Sequence, residues 1–288
     1  MNILVCLKQI LDPEIPPRDF RVDAERLEAQ RGSAGLVMNI FCANALETAL
    51  QFRERHGGKI TVLSFGEAGA EEVLRKALAL RVDNAVLIAR EETPTDKASS
   101  PLPSPPGEER GKNHRGEPMV AAKMLSAAAR KLGGFDLILT GREAGDWGEG
   151  QTGGLLAEEL GWPCISFTEH IEQSPEKSGV LRLRRQTDNG LEILEATGPL
   201  VVTVTNNERN VPRIAKTRDV MMAFRQPLTR WNLADLGLDG SLMARSVAEV
   251  VALSIPQKES RCEFVVGETI EQRVATFAER IMTVMRSA

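Results

Sequence analysis

Tyrosine is missing from the 288 residues, and nine Phe with three Trp make up the whole aromatic complement. From so few rings a base-stacking platform is hard to build, and so is a buried flavin pocket walled by this chain alone. No basic surplus exists either: 36 Lys and Arg face 40 Asp and Glu, a net charge of −4. A nucleic-acid footprint needs clustered cations, so that class is disfavoured. The four cysteines (Cys6, Cys42, Cys164, Cys262) are far apart and none has C-x-x-C spacing. Zinc and haem-attachment motifs are therefore lacking, and a disulfide framework is not expected at this size. No apolar run approaches the ~20 residues that span a bilayer. Residues 3–7 are apolar, but Lys8 follows and no small-residue cleavage site comes after it, so they read as a strand and not a signal peptide. A soluble, cytoplasmic protein is expected.

Catalytic signatures are also missing. There is no G-x-x-x-x-G-K-[ST] loop, no G-x-S-x-G elbow and no H-E-x-x-H. The S-G-G-x-D-S and H-I-G-H signatures of adenylate-forming enzymes are not found. Each of the three histidines reads as a surface residue: His56 at a helix end, His114 in a polar insertion and His170 before a hairpin. Cys6 and Cys42 read as small core residues, with no His and Asp patterned around them for nucleophilic work.

What is present is an ordinary globular composition, 42% hydrophobic and 26% charged, enough for one or two domains at ~150 residues each. Short apolar strands at 3–7, 60–65, 85–89, 135–140, 163–168 and 200–205 alternate with helical periods at 43–56, 70–80, 118–132 and 151–160. Between 180 and 196 the period becomes two, around an Asp188-Asn189-Gly190 turn, which predicts an antiparallel hairpin. Residues 91–117, rich in Pro, Ser, Gly and charge, read as a disordered insertion or a polyproline-type ligand. Beyond Val211 the regular sheet pattern disappears, and an amphipathic helix at 269–285 closes the chain. The fold class expected is α/β: a doubly wound, mostly parallel, Rossmann-like sheet with an antiparallel hairpin and an extended C-terminal arm. In such folds ligands bind beyond the carboxyl ends of the strands, near the switch in strand order, which directs attention to residues after Leu7, Phe65 and Thr140.

The loop over 141–154 leaves a strand, holds six glycines and opens into a helix. Bare backbone N–H groups and a helix N-terminus together make an anion cradle. Gly148 to Gly153 matches G-x-G-x-x-G, but several residues from the strand and outside the first βα unit, so it is no dinucleotide fingerprint. A plain Gly-rich connector is the other reading. Asp146, Gln151 and Thr152 are ligand contacts or loop caps, and Asn39 is a ligand contact or the cap of the first helix.

Three separated motifs occur in order: Met38-Asn39-x-Phe41-Cys42 with Ala45-Leu46-Glu47-x-Ala49; Gly141-x-x-Ala144-x-Asp146 leading to Gln151-Thr152-Gly153; and Asn210-Val211-Pro212-Arg213-Ile214-Ala215 followed by Met221-x-Ala223. Together they resemble the β subunit of electron-transfer flavoprotein, along the whole chain except the Pro-rich insertion. The resemblance implies an adenine nucleotide α-hydrolase-like domain over 1–210, interrupted at 91–117. A partner-recognition loop would follow at 211–230, and a C-terminal arm at 231–288 would pack on an α subunit. It implies AMP in this chain, held by Cys6, Asn39, Ile40, Phe41, Cys42, Phe65, Gly141, Arg142, Glu143, Ala144, Gly145, Asp146, Trp147, Gly148, Glu149, Gly150, Gln151 and Thr152. The redox FAD would lie mainly in the α partner at the interface. Pro212, Arg213, Ile214, Ala215, Thr217, Arg218, Met221 and Met222 would dock flavin dehydrogenases, acyl-CoA dehydrogenases among them.

The function so implied is outer-sphere electron transfer from dehydrogenases to a quinone oxidoreductase, with no acid–base catalysis of this chain's own. Several positions depart from the family pattern. Gly145, Trp147, Gly148 and Gly150 replace other residue types in the loop, and Thr217-Arg218 stands where Leu-Pro is usual. Members that hold a second FAD in this subunit and bifurcate electrons tend to have Asp where Cys42 stands, so Cys42 favours AMP. A stand-alone AMP/ATP module resembling universal stress proteins is the rival reading, and a decayed hydrolase-like enzyme is another. The first leaves the 212–223 loop and the arm unexplained, the second the missing nucleophile.

Overall fold

The structure is a computed structural model that describes residues 1–16, 18–25, 27–30, 34–90, 118–239, 250–255 and 262–287. The insertion read at 91–117, with His114, lies outside the described residues. The chain divides into two compact units, Met1–Leu253 and Ser254–Ala288.

The first unit opens with strand β1 (Asn2–Leu7), then two small antiparallel ribbons. One pairs β2 (Gln9–Leu11) with β5 (Leu36–Met38), and the other pairs β3 (Arg21–Asp23) with β4 (Glu28–Gln30). Helix α1 (Ile40–His56) leads to β6 (Lys59–Gly66), α2 (Glu71–Ala79) to β7 (Asn84–Ala89), and α3 (Pro118–Leu132) to β8 (Leu137–Gly141). After α4 (Thr152–Leu160) come β9 (Cys164–Gln173), the hairpin β10 (Val180–Thr187) and β11 (Gly190–Thr197), and β12 (Leu200–Val204). Helix α5 (Thr217–Ala223) and strand β13 (Thr229–Trp231) follow, and Leu233, Leu236 and Leu238 pack on the core after them.

The main sheet runs β11-β10-β9-β12-β8-β1-β6-β7-β13. From β9 across to β13 neighbours pair in parallel, while β10 and β11 add an antiparallel edge. The chain winds outward from β1 through β6 to β7, then returns through α3 to β8 on the other side of β1. The switch point therefore lies between β1 and β8, the doubly wound arrangement expected from the alternating pattern.

Period two sorts the core onto two faces. Ile3, Val5 and Leu7 of β1 pack with α1 and α2, while Leu4 and Cys6 pack with α3 and α4. Because helices cover both faces, β1 is apolar at every interior position; Ile3, Leu4 and Val5 are fully buried.

Four features depart from the sequence pattern. The ribbons β2/β5 and β3/β4 occupy a stretch that shows no period. Beyond Val211 the sheet does not stop, since β13 pairs with β7, and α5 forms between them. Three-residue strands span barely one alternation, too little for a period to show. The first helix starts at Ile40, three residues earlier than its apolar stripe.

In the second unit, α6 (Ile270–Ser287) carries Val274, Phe277, Ile281 and Met285 along one stripe, each of them exposed. Among the described residues no helix is long and apolar enough to cross a membrane.

Candidate functional site

The carboxyl ends of β1, β6 and β8 converge at the switch point, and the segments that follow them form a cleft. Gly141 ends β8 against the first turn of α1. A Cβ there would lie 2.9 Å from the backbone N of Cys42 and 2.9 Å from the carbonyl carbon of Phe41. Only a residue without a side chain permits so close an approach.

Asn39 then fixes the loop to the helix. Its backbone stands at the N-cap of α1, but its side chain caps nothing. Instead Asn39 Nδ2 donates to the Glu143 carbonyl at 2.7 Å, and Asn39 Oδ1 accepts from Gly145 N at 3.2 Å. The same amide lies 3.3 Å from Cys42 Sγ. The alternative of a helix cap is thus replaced by a clamp across the cleft, and Asn39 is 1% exposed.

The rest of the loop is stitched by its own charges. Lys8 Nζ pairs with the Asp146 carboxylate at 2.8 Å, and Asp146 Oδ1 also accepts from Trp147 N at 3.0 Å. Gly148 N donates to the Ala144 carbonyl, and the left-handed φ of +67° at Gly148 and +65° at Gly150 turn the chain into α4. Among the described residues, no acceptor is found for the N–H groups of Gly150, Gln151 and Thr152, which open toward solvent at the positive end of α4. Behind them Gly153 sits so tightly on the sheet that a Cβ would fall 2.3 Å from Thr203 Cγ2. Thr140 Oγ1, in β8 beneath this turn, is buried without a partner.

Arg142 bridges the cleft to the hairpin side. Its guanidinium pairs with Glu143 at 2.8 Å, donates to Thr205 Oγ1 at 3.2 Å and stacks 4.5 Å from the Phe41 ring centroid. Phe167 lies 5.8 Å away on the other side, at a bulge in β9, with φ +56° and 47% exposure. A non-glycine residue in that region stores roughly 1 kcal/mol of strain, and such strain gathers at functional sites.

Of the residues expected around a nucleotide, the structure brings 39–42 and 141–152 together. Ile40 and Trp147 are exposed at the rim. Phe65 is half-buried at the end of β6, and no hydrogen bond or ring contact joins it to the loop. Cys6 and Cys42 are buried, and burial pushes both thiols up, which disfavours the reactive thiolate. Lys8, paired with Asp146, and Phe167, beside Arg142, belong to the same site and lie outside the residues expected there. Lys8 had a signal, a cation directly after the first buried strand at a switch point, but Phe167 had none.

The second candidate surface, residues 211–224, runs across α1 and α2. Ile214 is 94% exposed, and Met221, Met222 and Phe224 are exposed beside it. Pro212 and Ala215 are half-buried, and Thr217 and Arg218 form the first turn of α5. A cavity of about 500 Å³ separates this segment from α1 and α2, lined by Leu46, Ala79, Ala215, Val220 and Phe224. Arg213, its side chain 36% exposed, is turned onto α1: it pairs with Glu47 at 2.8 Å and with Glu54, and this pairing holds the Glu54 carboxyl below the ordinary carboxylate range.

Comparison with known proteins places this architecture. The family model of the electron transfer flavoprotein domain matches residues 29–100 and 111–236. Electron transfer flavoprotein subunit beta of Thermoanaerobacterium thermosaccharolyticum is 32% identical over 98% of both chains. The namesake subunit of Bacillus subtilis is 30% identical, covering 100% of this chain and 98% of its own. The caffeyl-CoA reductase-Etf complex subunit CarD of Acetobacterium woodii is 28% identical over 98% of both chains.

Proposed function

The chain belongs to the electron transfer flavoprotein family, among its β subunits, and from that premise we propose that it binds AMP in the cleft at the switch point and pairs with an α subunit that holds the redox FAD. The observation that supports the nucleotide reading is the cradle itself. Asn39 ties the 143–145 backbone to the first turn of α1, and beside it the N–H groups of 150–152, at the start of α4, meet no acceptor among the described residues. Two helix N-termini and a glycine-lined backbone suit a phosphate without any catalytic side chain. Residues 39–42 and 141–152 would hold the nucleotide, with Cys6 and Phe65 forming the floor of the cleft and its edge. The buried thiol of Cys42 places an uncharged group there, which favours AMP over a second flavin.

When bound, FAD supplies the electron-carrying chemistry, and AMP supplies none. This chain's part is to give the partner a rigid wall and to present a docking surface to dehydrogenases at 212–222. Electrons would pass onward to a quinone-reducing acceptor. The exposed apolar stripe of α6 fits an arm laid on the α subunit.

Co-expression with the α chain tests the reading. A stable 1:1 yellow complex that releases one FAD and one AMP on denaturation is expected. Failure to form a complex would sink the heterodimer, and two FAD without AMP would move the chain to the bifurcating members of the family.

A further inference from the structure

The 209–213 stretch, which leads into the exposed segment, is held by one flank of α1. Asn44, Glu47, Gln51 and Glu54 follow one another at helical spacing along that flank. Asn44 Nδ2 donates to the Asn210 carbonyl at 2.9 Å, and Gln51 Nε2 donates to the Arg209 carbonyl at 2.7 Å. Asn210 is itself buried and donates through Nδ2 to the Thr205 carbonyl at 2.9 Å. The strongest grip is on Arg213. Its Nε and Nη2 meet the two Glu47 oxygens at 2.8 Å each, and Nη1 and Nη2 both reach Glu54. The forked geometry matches a carboxylate in bidentate fashion, which an ammonium cannot reproduce.

Two facts set this pairing apart from a surface ion pair. The Glu47 side chain is 5% exposed, so without Arg213 it would be a buried charge with no cation. And the grip adjoins the docking surface directly, for Ile214 is the next residue and is 94% exposed. Nε, Nη1 and Nη2 are all engaged on α1, so although 36% of the side chain is exposed, each guanidinium nitrogen already has a carboxylate partner.

We infer that Arg213 is a positioning residue: its bridge to Glu47 and Glu54 sets the pose of the 214–224 surface on α1, and Arg213 itself is not a partner contact. The inference rests on the reading of that surface as the dehydrogenase docking site. Since the N-terminus of α1 also holds the Gly-rich loop through Asn39, one helix sets the spacing between the nucleotide cleft and the docking surface.

The test uses the complex with the α subunit, carrying Arg213→Lys, Glu54→Gln or Ile214→Ser. A flavin acyl-CoA dehydrogenase reduced by its acyl-CoA serves as electron donor. Amide exchange over 209–224 is read without the donor, and KM and kcat with it. Arg213→Lys keeps the charge and loses the fork, so faster exchange at 209–216 and a roughly fivefold higher KM at unchanged kcat are expected. Glu54→Gln should shift both readouts in the same direction and by less. If Arg213→Lys raises KM while exchange stays as in the native complex and Glu54→Gln is silent, Arg213 is a partner contact and the inference falls. If Ile214→Ser leaves KM unchanged, or the native complex takes no electrons from this donor, it is the docking reading that fails. The exchange arm then still decides whether Arg213 fixes the segment.

Discussion

The Gly-rich loop at 141–152 and the strap at 209–224 are both fastened to α1, but by opposite chemistry. At the loop the fastening is a neutral, nearly inaccessible amide, Asn39, together with backbone contacts so close that only glycine fits at 141 and 153. At the strap it is a charged fork, Arg213 on Glu47 and Glu54, with a cavity of about 500 Å³ beside it. A cradle built from backbone N–H groups tolerates little displacement, whereas a docking surface works through exposed side chains and tolerates more. The difference predicts that the Asn39 clamp at 143–145 is insensitive to acid and salt and intolerant of bulk, while the strap is the reverse; the Lys8–Asp146 pair further along the loop answers to salt as the strap does.

The largest effect should come from adding bulk at the loop. Gly141→Ala drives a methyl into the backbone of Phe41 and Cys42, and about 3 kcal/mol of stability should be lost, read as a lower urea midpoint. An equal midpoint would show that the approach relaxes freely. Asn39→Ala should follow at about 2 kcal/mol, because it leaves the Glu143 carbonyl and the Gly145 N–H without their partner. The same variant should lose AMP on gel filtration of the complex.

Acid should separate the two regions without mutation. The Glu54 carboxyl lies below its ordinary value of 4.5, chiefly through the hydrogen bond from Arg213 and then through the charges of Arg213, Arg53 and Arg55. A depressed carboxyl contributes its full stabilisation above about pH 4.5 and loses it as the pH falls through the lower native value. Amide exchange, corrected for intrinsic rates, should therefore quicken at 209–216 below about pH 4.5, with no matching change at 143–145. Simultaneous loosening of both regions would erase the distinction. Smallest of all should be Phe167→Gly. Relief of the left-handed strain offsets the added chain entropy and the lost stacking on Arg142, for a net change under about 1 kcal/mol in thermal unfolding.

Much of this was legible in the sequence, for identifiable reasons. Buried parallel strands announce themselves as unbroken apolar runs, so 3–7 and 200–205 could be read, and the Asp188-Asn189-Gly190 turn announced its hairpin. The loop was legible because glycines concentrate where backbone must approach closely. Asn39 was assigned a place but not a task, since a cap and a cross-cleft clamp need the same residue type and differ only in what lies 104 residues away. Arg213 enters the docking set only through the family resemblance, and the sequence carries no sign of its pairing with α1. Its partners on α1 are 159 and 166 positions distant, and nothing local marks the pairing. Strands β2, β5 and β13 were invisible because three residues carry too little pattern.

Strand β13 gives the strap a second consequence. The chain leaves the sheet at β12, crosses above α1 and α2, and re-enters at the far margin beside β7, five strand positions away. At roughly 4.8 Å per strand that crossing covers about 24 Å. Among the described residues, the three residues of β13 are what pairs with the outer edge of β7, and the strap is their covalent tether from the N-terminal side. A single proteolytic cut between 211 and 224 would leave that margin guarded by one short strand, held through Trp231 on the core and Arg230 on Glu71. A bare β7 would be a template for chain-to-chain pairing, so by delivering β13 the strap also guards the sheet margin.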